Sequence, residues 1–224
     1  MVLRMDKKER SSIRKIGRYY SENGLVKTVM RVADKLLGII INIKKSYVIE
    51  KSLSGNIPFI EAKIDVMFRM AEIQDVDYFK DILKPWNNWF AIIKNRFEKR
   101  QTCILCFHEN SAIGYIWISF VPETDKKLGI TVRPRDDESY GFDLFVLPEY
   151  RKFLIGYELI SRWLQYSKAS GREKAIGVVA AWNKPMQMTT KLVFGFKVME
   201  KIRSVEFFKK RGFIISSKKI DPHS

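Results

Sequence analysis

The chain has 224 residues, 46% of them hydrophobic and 13% aromatic, so it can bury a large core and is neither disordered nor fibrous in composition. Its net charge of +16 favours a polyanionic partner, such as nucleic acid, an acidic membrane surface or a phosphate-bearing ligand. The sequence has no apolar run long enough to span a bilayer and no apolar leader, which predicts a cytoplasmic protein.

The first 52 residues carry 13 basic and five acidic side chains, about half of the excess charge in a quarter of the chain. Between Leu25 and Lys45, apolar residues recur at three- and four-residue steps with lysines and an arginine between them, which predicts a basic amphipathic helix. This helix packs on the main domain or on a second copy in a homodimer, or it lies on a membrane surface. Nucleic acid is the partner least favoured.

The stretch SLSGNIP, Ser52 to Pro58, contains the Gly and Pro residues typical of a boundary. It divides the chain into a basic helical extension, residues 1–58, and a main domain, residues 59–224.

Hydrophobic periodicity then predicts elements in chain order. They are a strand at KIDVMFRM, helices at DVDYFKDILKPW and WNNWFAIIKNRFEK, a hairpin of TCILCF and AIGYIWISF around the turn HENS, an irregular hairpin or loop at 124–138, a strand over 139–147, a helix over 155–170, a strand over 175–182, a further helix, and strands near 197–202 and 204–215.

Residue types argue against three other kinds of site. A Ser-His-Asp triad has at most one credible base, because His108 and the near-terminal His223 are the only histidines. Cys103 and Cys106 stand near His108, but a strand sends positions 103 and 106 to opposite faces and no second ligand pair follows. Neither GxxxxGK[ST] nor GxGxxG occurs. We therefore predict no metal and two core cysteines.

The stretch VLPEYRKFLIGYELI joins the strand ending near Val146 to the following helix. Unpaired backbone N–H groups at a helix N-terminus bind phosphate, and Arg151 and Lys152 add positive charge beside them. Gly156 would let a pyrophosphate approach the backbone. The junction predicts an anion site; the alternative is a tight turn with solvated cations.

These residues resemble the GNAT superfamily of acyl-CoA-dependent N-acetyltransferases, whose phosphate loop [RQ]-x-x-G-x-[GA] follows a strand ending in V-x-P-x-[YF]-R. The matching residues are Val146, Pro148, Tyr150, Arg151 and Gly156. Leu154 departs from the pattern by standing where the first Gly is expected, beside the bulky Phe153.

The resemblance covers about residues 64–208. It includes FRMAEIQDVDYF, the pair Gly114-Tyr115, and Asn183, which matches the residue that opens the family's fourth helix. Gly195-Phe196 resembles the end of that helix, with one residue more than usual in between. The stretch FFKKRGF resembles the same ending but lies much further along the chain, so we prefer Gly195-Phe196.

The resemblance implies an α/β (α+β) fold with a mixed, mostly antiparallel sheet, a central pair of splayed parallel strands and flanking helices. It also implies acetyl-CoA as co-substrate and no metal. The cofactor-binding residues it implies are Leu144, Val146, Arg151, Lys152, Phe153, Leu154, Ile155, Gly156 and Asn183. The backbone N–H of Val146 would hold the thioester carbonyl while the acceptor amine attacks directly.

Two residues concern proton transfer. Asp143, three residues before Val146 and flanked by apolar residues, is the candidate general base; the alternative is a structural carboxylate bonded to a neighbouring loop. The tyrosine that usually protonates the departing thiolate in the family is replaced by Thr190. Because the thiol has a pKa near 8.5, its thiolate is a fairly good leaving group without a proton donor, so this change need not abolish turnover.

We therefore predict an acetyltransferase that acts on an unidentified amine; an amino sugar, another small molecule and a peptide all stay open. The alternatives are a catalytically silent acyl-CoA sensor and a basic membrane- or nucleic-acid-binding adaptor. Peripheral membrane contact would run through residues 25–45.

Overall fold

The computed structural model describes residues 41–83, 88–125, 129–207 and 211–220. Its strands are β1 (Ile41–Ser52), β2 (Met67–Met70), β3 (Thr102–His108), β4 (Ser111–Ser119), β5 (Glu123–Asp125), β6 (Ile130–Val132), β7 (Glu138–Val146), β8 (Lys174–Ala180), β9 (Lys197–Phe207) and β10 (Arg211–Lys219). Eight of them form one sheet in the order β10-β9-β1-β8-β7-β4-β3-β2, while β5 and β6 form a separate hairpin. All neighbours in the large sheet are antiparallel except β7 and β8. The predicted fold class is confirmed.

The described helices are α1 (Tyr78–Leu83), α2 (Trp89–Glu98), α3 (Ile155–Ala169) and α4 (Lys184–Met188). Short 3₁₀ turns, Ile73–Asp77 and Pro148–Phe153, lead into α1 and α3, and a π-helical turn, Thr189–Val193, continues α4. No helix in the described ranges combines the length and hydropathy needed to cross a bilayer.

The sheet carries a hydrophobic cluster on each face. On one face, α3 contributes Leu159 and Trp163 to a cluster that includes Cys106. On the other, α1 and α2 contribute Phe79 and Ile93 to a cluster that includes Cys103 and Trp117. The two cysteines therefore lie on opposite faces of β3, as the strand periodicity predicted.

The hairpin of β3 and β4 is also confirmed. Glu109 and Asn110 form its two-residue turn with backbone φ angles of 47° and 66°. Both angles lie in the left-handed region that tight hairpin turns require, and Asn tolerates this region better than most residues.

The helix after Asn183 ends at Gly195-Phe196, as preferred from the sequence. Phe194 N–H donates to Thr189 O at 3.3 Å, an i to i+5 bond that accommodates one extra residue in the turn. Gly195 has a φ of 69°, and Phe196 N–H donates to Thr190 O at 2.9 Å, which is a typical glycine helix end. The FFKKRGF stretch instead begins with Phe207, the last residue of β9, and its last three residues begin β10. The predicted last strand is present, but its predicted start at residue 204 is wrong: β9 continues to Phe207, and β10 begins at Arg211.

The predicted basic helix is wrong over its last five residues, because residues 41–45 begin β1. This strand pairs with β8 from Ser46↔Ala180 to Ser52↔Lys174 and with β9 on its other side. Backbone bonding on both edges and the sequence Tyr47-Val48-Ile49 outweigh the helical spacing that precedes them. Residues 25–40 lie outside the described residues, so the rest of the helix and its membrane contact stay predictions.

The predicted boundary at residue 58 falls inside the packed fold. Residues 53–66 follow β1 directly and run along α3, where half-buried Ile57, Ile60 and Ile64 pack against the core. For residues 1–40 a separate extension stays a prediction.

Candidate active site

A gap opens in the sheet between β7 and β8. The two strands pair in parallel only from Glu138↔Lys174 to Gly141↔Gly177, although β7 continues to Val146 and β8 to Ala180. Asp143 has a φ of 50°, and the register of β7 against β4 shifts beside it, so β7 bulges where the pairing with β8 stops. The predicted splayed pair is present.

The backbone N–H of Val146 points into this gap. Leu147 N–H donates to Ile113 O at 2.9 Å, which makes Gly114↔Val146 the non-hydrogen-bonded type of antiparallel pair. The N–H and C=O of Val146 are therefore directed away from β4, towards β8. Its carbonyl accepts a bond from Arg151 Nε at 3.0 Å, while its N–H donates to no described residue.

The start of α3 places three further backbone donors beside the gap. Tyr157 and Glu158 donate to Leu154 O at 2.9 and 3.1 Å and so begin the helix. The N–H groups of Leu154, Ile155 and Gly156 precede these bonds, and Leu154 N–H finds no acceptor in the described chain. No side chain caps the helix at Leu154. Their arrangement suits an anion.

Leu154 has a φ of 62° and a ψ of 14°, a left-handed conformation that glycine adopts freely. This left-handed conformation costs a non-glycine residue about 1–2 kcal/mol. The departure from the family pattern therefore places a bulky side chain and a strained backbone in the loop.

Gly156 borders open space. A Cβ built on it would meet only Val146 Cγ2, at an ordinary 3.8 Å. Packing within the protein does not require a glycine here, so the space beside the helix start can admit a ligand.

Exposed cations lie at the same junction. Arg151 is held against the end of β7 by its bond to Val146 O, and its guanidinium lies 5.8 Å from the Phe145 ring. Lys152 Nζ lies 4.9 Å from the Phe153 ring. The structure thus brings together the residues predicted between 146 and 156, and Leu144 is half-buried against the same core.

Asn183 begins α4 on the β8 side of the gap. Its Oδ1 accepts the N–H of Met186 at 3.2 Å, so this oxygen serves as a helix cap. The cofactor contact predicted for Asn183 would therefore be made by the amide Nδ2. This contact stays a prediction.

Asp143 forms an ion pair on the sheet face that α1 and α2 cover, opposite to α3. Its Oδ2 accepts Arg96 Nη1 at 2.6 Å, and the Arg96 side chain is only 11% exposed. The guanidinium lies 5.0 Å from the rings of both Trp117 and Phe142. The contact is of the structural kind weighed as the alternative, although the partner belongs to α2 and not to a loop.

Sequence reasoning missed Arg96. It follows Ile93, a buried residue of α2, by three positions and therefore lies near the apolar stripe of the helix, which is the one signal that could have found it.

Thr190, at the position of the family's usual tyrosine, is buried and donates to Met186 O at 2.8 Å. Its neighbour Thr189 donates to the hydroxyl of Tyr157 at 3.1 Å, which links the start of α3 to the π-helical turn. Sequence reasoning missed Tyr157 because this contact joins residues 32 positions apart.

Neither cysteine is a candidate nucleophile. Burial raises the pKa of the Cys106 thiol to about 12 and also raises the pKa of Cys103, so both stay protonated at neutral pH. Among the described side chains, no group of three or more His, Cys, Asp and Glu residues could hold a metal ion.

Comparisons with known proteins agree with this geometry. The family described as "Acetyltransferase (GNAT) family" matches residues 67–213, more than half of the chain. A putative acetyltransferase of the GNAT family from Novosphingobium aromaticivorans has a TM-score of 0.52 and 12% identity, over 81% of this chain and 67% of that one. No curated protein matches the sequence.

Two further solved structures have the same fold. A functionally unknown conserved protein from Staphylococcus epidermidis gives a TM-score of 0.50 at 11% identity, over 78% of this chain and 66% of that one. A Drosophila protein gives 0.51 at 12% identity, over 80% of this chain and 57% of that one. At these identities the similarity is one of fold alone. The family match includes both splayed strands and the start of α3, and the chain therefore belongs to the GNAT acetyltransferase family.

Proposed function

We propose that this protein transfers an acetyl group from acetyl-CoA to an amine, which attacks directly while both substrates are bound. The observation that carries the proposal is the free N–H of Val146 inside the β7–β8 gap, next to the uncapped start of α3. A thioester arm in the gap and a pyrophosphate at the helix start would use both features.

The residues present fit acetyl-CoA. The N–H groups of Leu154, Ile155 and Gly156 would bind the pyrophosphate, with Arg151 and Lys152 supplying positive charge. The open space at Gly156 leaves room for it. Leu144 and Val146 would line one side of the arm and Asn183 the other. Acetyl-CoA supplies the activated acyl group.

Val146 N–H would stabilise the negative charge that develops on the thioester oxygen during transfer. One such donor contributes about 3 kcal/mol to lowering the barrier, judged from the loss of comparable oxyanion-hole donors. Since both thiols are buried and protonated, direct attack by the amine is the simplest route.

The amine must lose a proton, because a free alkyl amine has a pKa near 10 and is mostly protonated at neutral pH. We propose Asp143 as the acceptor, with Arg96 fixing its orientation through the 2.6 Å ion pair. A water molecule would complete the relay wherever the amine lies beyond direct reach.

A catalytically silent acyl-CoA sensor is the second candidate. Two observations favour it: Asp143 is engaged by Arg96, and Thr190 is engaged by its own helix.

Thermal unfolding in parallel with acetyl-CoA, CoA and ATP tests the cofactor. If the dissociation constant is about 10 μM, 1 mM ligand adds about 2.7 kcal/mol of stability. We expect both CoA forms to raise the midpoint and ATP to have little effect; equal midpoints in all samples would contradict the proposal.

Amine screening with Asp143→Asn and Arg96→Gln separates enzyme from sensor. Asp143→Asn should abolish turnover while CoA binding persists. Arg96→Gln breaks the same ion pair but keeps the carboxylate, so it should retain more activity. A wild-type protein that binds CoA and acetylates no amine across the panel would favour the sensor.

A further inference from the structure

A strap, defined as residues 53–66, runs antiparallel to α3 along its whole length. Its contacts follow in order: Leu53 N–H to Glu173 O (2.7 Å), Gly55 O from Lys168 Nζ (3.0 Å), Ile60 N–H to Ser161 Oγ (3.1 Å), Ala62 N–H to Glu158 Oε2 (2.6 Å) and Lys63 N–H to Phe153 O (2.9 Å). The strap thus begins beyond the C-terminus of α3 and arrives at the loop before its N-terminus.

The last contact acts on the peptide group that joins Phe153 to Leu154. In a trans peptide the C=O and the following N–H point in opposite directions, and no described peptide bond is cis. Because Phe153 C=O points to Lys63 N–H, Leu154 N–H points away from the strap. It finds no acceptor in the described chain and is the first donor of the proposed phosphate cradle.

This peptide is also where the chain departs from glycine. A glycine would adopt the left-handed conformation of Leu154 without cost, whereas a leucine keeps it only when its surroundings hold it there. No described side chain caps the helix at Leu154, and the strap supplies a backbone bond to the adjoining peptide.

Two contacts hold the strap firmly enough to do this. Glu158 is buried and accepts Ala62 N–H while Arg162 donates to its other oxygen from 2.7 and 2.9 Å. Ser161 is also buried and accepts Ile60 N–H while it donates to Tyr157 O.

We propose that the strap orients the phosphate cradle: Lys63, through its backbone N–H, is a positioning residue that directs Leu154 N–H towards the phosphate groups of acyl-CoA. The strap thereby replaces the conformational freedom of the missing glycine. This inference rests on the proposed acyl-CoA site and extends it to a segment outside the family's phosphate loop.

The test compares the dissociation constants of CoA and pantetheine, which lacks the pyrophosphate, by calorimetry. Lys63→Pro removes the donor, and Glu61→Pro is the control because the Glu61 N–H makes no hydrogen bond in the described chain. Lys63→Ala removes the charge but keeps the N–H. Melting curves of every variant show whether it is folded.

We expect Lys63→Pro to weaken CoA binding about tenfold and to leave pantetheine binding unchanged. The factor of ten corresponds to the free energy of the left-handed strain at Leu154, which the Lys63 bond offsets. Glu61→Pro and Lys63→Ala should change CoA affinity by less than about threefold. Adding Leu154→Gly to Lys63→Pro should restore most of the lost affinity, because glycine keeps the loop conformation without the strap.

Three results would overturn the inference: equal losses for Lys63→Pro and Lys63→Ala, equal losses for CoA and pantetheine, or no recovery with Leu154→Gly. If Lys63→Pro does not fold, Ser161→Ala replaces it, since it removes a strap anchor without restricting the backbone; it should weaken CoA binding about threefold and pantetheine binding not at all. A wild-type protein that binds no CoA would refute the proposed function itself.

Discussion

The starts of α3 and α4 lie on the two sides of the same gap and differ in how their backbone N–H groups are used. At α4, the Asn183 side chain accepts Met186 N–H and so satisfies the helix from within. At α3, Leu154 offers no side-chain cap, and its own N–H finds no acceptor among the described residues. The first arrangement stabilises the fold, and the second leaves donors for a ligand at the expense of backbone strain.

A third helix start also has a side-chain acceptor, but it belongs to the first turn and not to the residue before it. In the turn that leads into α1, Asp75 accepts Glu72 N–H at 2.8 Å and is ion-paired with Arg69. Lack of a cap is not confined to α3, because Asn88 at the start of α2 makes no side-chain cap bond either. The start of α3 is assigned to the cofactor because it lies beside the β7–β8 gap.

Gly156→Glu should give the largest effect. A carboxylate beside the open N–H groups repels a pyrophosphate by about 3 kcal/mol at close range, or roughly a hundredfold in CoA affinity. Stability should hold, because an acidic residue in the first turn of a helix is favourable.

Gly156→Ala is the control for that variant. Its Cβ meets only Val146 Cγ2 within the protein, so stability should rise by up to about 1 kcal/mol. CoA affinity should fall by much less than in Gly156→Glu, because the methyl group takes space from the pyrophosphate but adds no charge. Equal affinities of Gly156→Glu and wild type in calorimetry would place the cofactor elsewhere.

The pair Leu154→Gly and Leu154→Ala measures the strain. Both variants remove the side chain, so their difference reports the left-handed backbone. In urea titrations, the unfolding free energy of Leu154→Gly should be about 1 kcal/mol higher than that of Leu154→Ala. At an ordinary helical position the order is reversed by a similar amount, so a more stable alanine variant would mean that the backbone is unstrained.

Asn183→Ala should lower the unfolding free energy by about 1 kcal/mol through loss of the cap, whereas Asn183→Ser keeps an oxygen in place and should restore most of it. Thermal melts of both variants check this. CoA affinity separates the two roles of the residue: a loss in both variants assigns Nδ2 to the cofactor, and no change leaves Asn183 as a cap alone.

Acid should weaken the contacts of Asp75 and leave the Asn183 amide cap unchanged. The bond from Arg69 lowers the pKa of Asp75 below its ordinary 3.8, with the N–H of Glu72 adding to the effect against burial. A carboxyl with a lowered pKa in the folded state stabilises the protein above its unfolded pKa, and this stabilisation is lost as pH falls through the folded value.

The stability difference between wild type and Asp75→Asn should therefore shrink when urea midpoints are measured below about pH 4. The loss of unfolding free energy in Asn183→Ala, relative to wild type, should stay the same over that pH range, because an amide does not titrate there. A constant Asp75→Asn difference would argue that the ion pair contributes no stability.

Most of the candidate site could be predicted because its signals are local. The run from Val146 to Gly156 places strand, cations and helix start within eleven consecutive residues, so their proximity needs no long-range information. The extra residue before Gly195 was also visible, and a π-helical turn accommodates it.

The contacts that could not be predicted all join distant positions. Arg96 and Asp143 are 47 residues apart, and the strap contacts residues about a hundred positions away. The first five residues of β1 were mistaken for the end of a helix because the neighbours β8 and β9, which supply its backbone bonds, follow it by more than 120 residues. A sequence pattern reports the periodicity within a segment. It does not identify the distant strands whose pairing decides whether the segment forms a helix or a strand.

By itself, then, the sequence determined the family, the order of elements from residue 59 onward in outline, and the residues of the phosphate loop, because these depend on side-chain type and short spacing. The tertiary structure alone decided that Val146 N–H faces an open gap, that Asp143 is held by Arg96, and that a strap supports a leucine in a glycine's conformation. These are properties of hydrogen-bond direction and of strained backbone, which only the packed neighbours set.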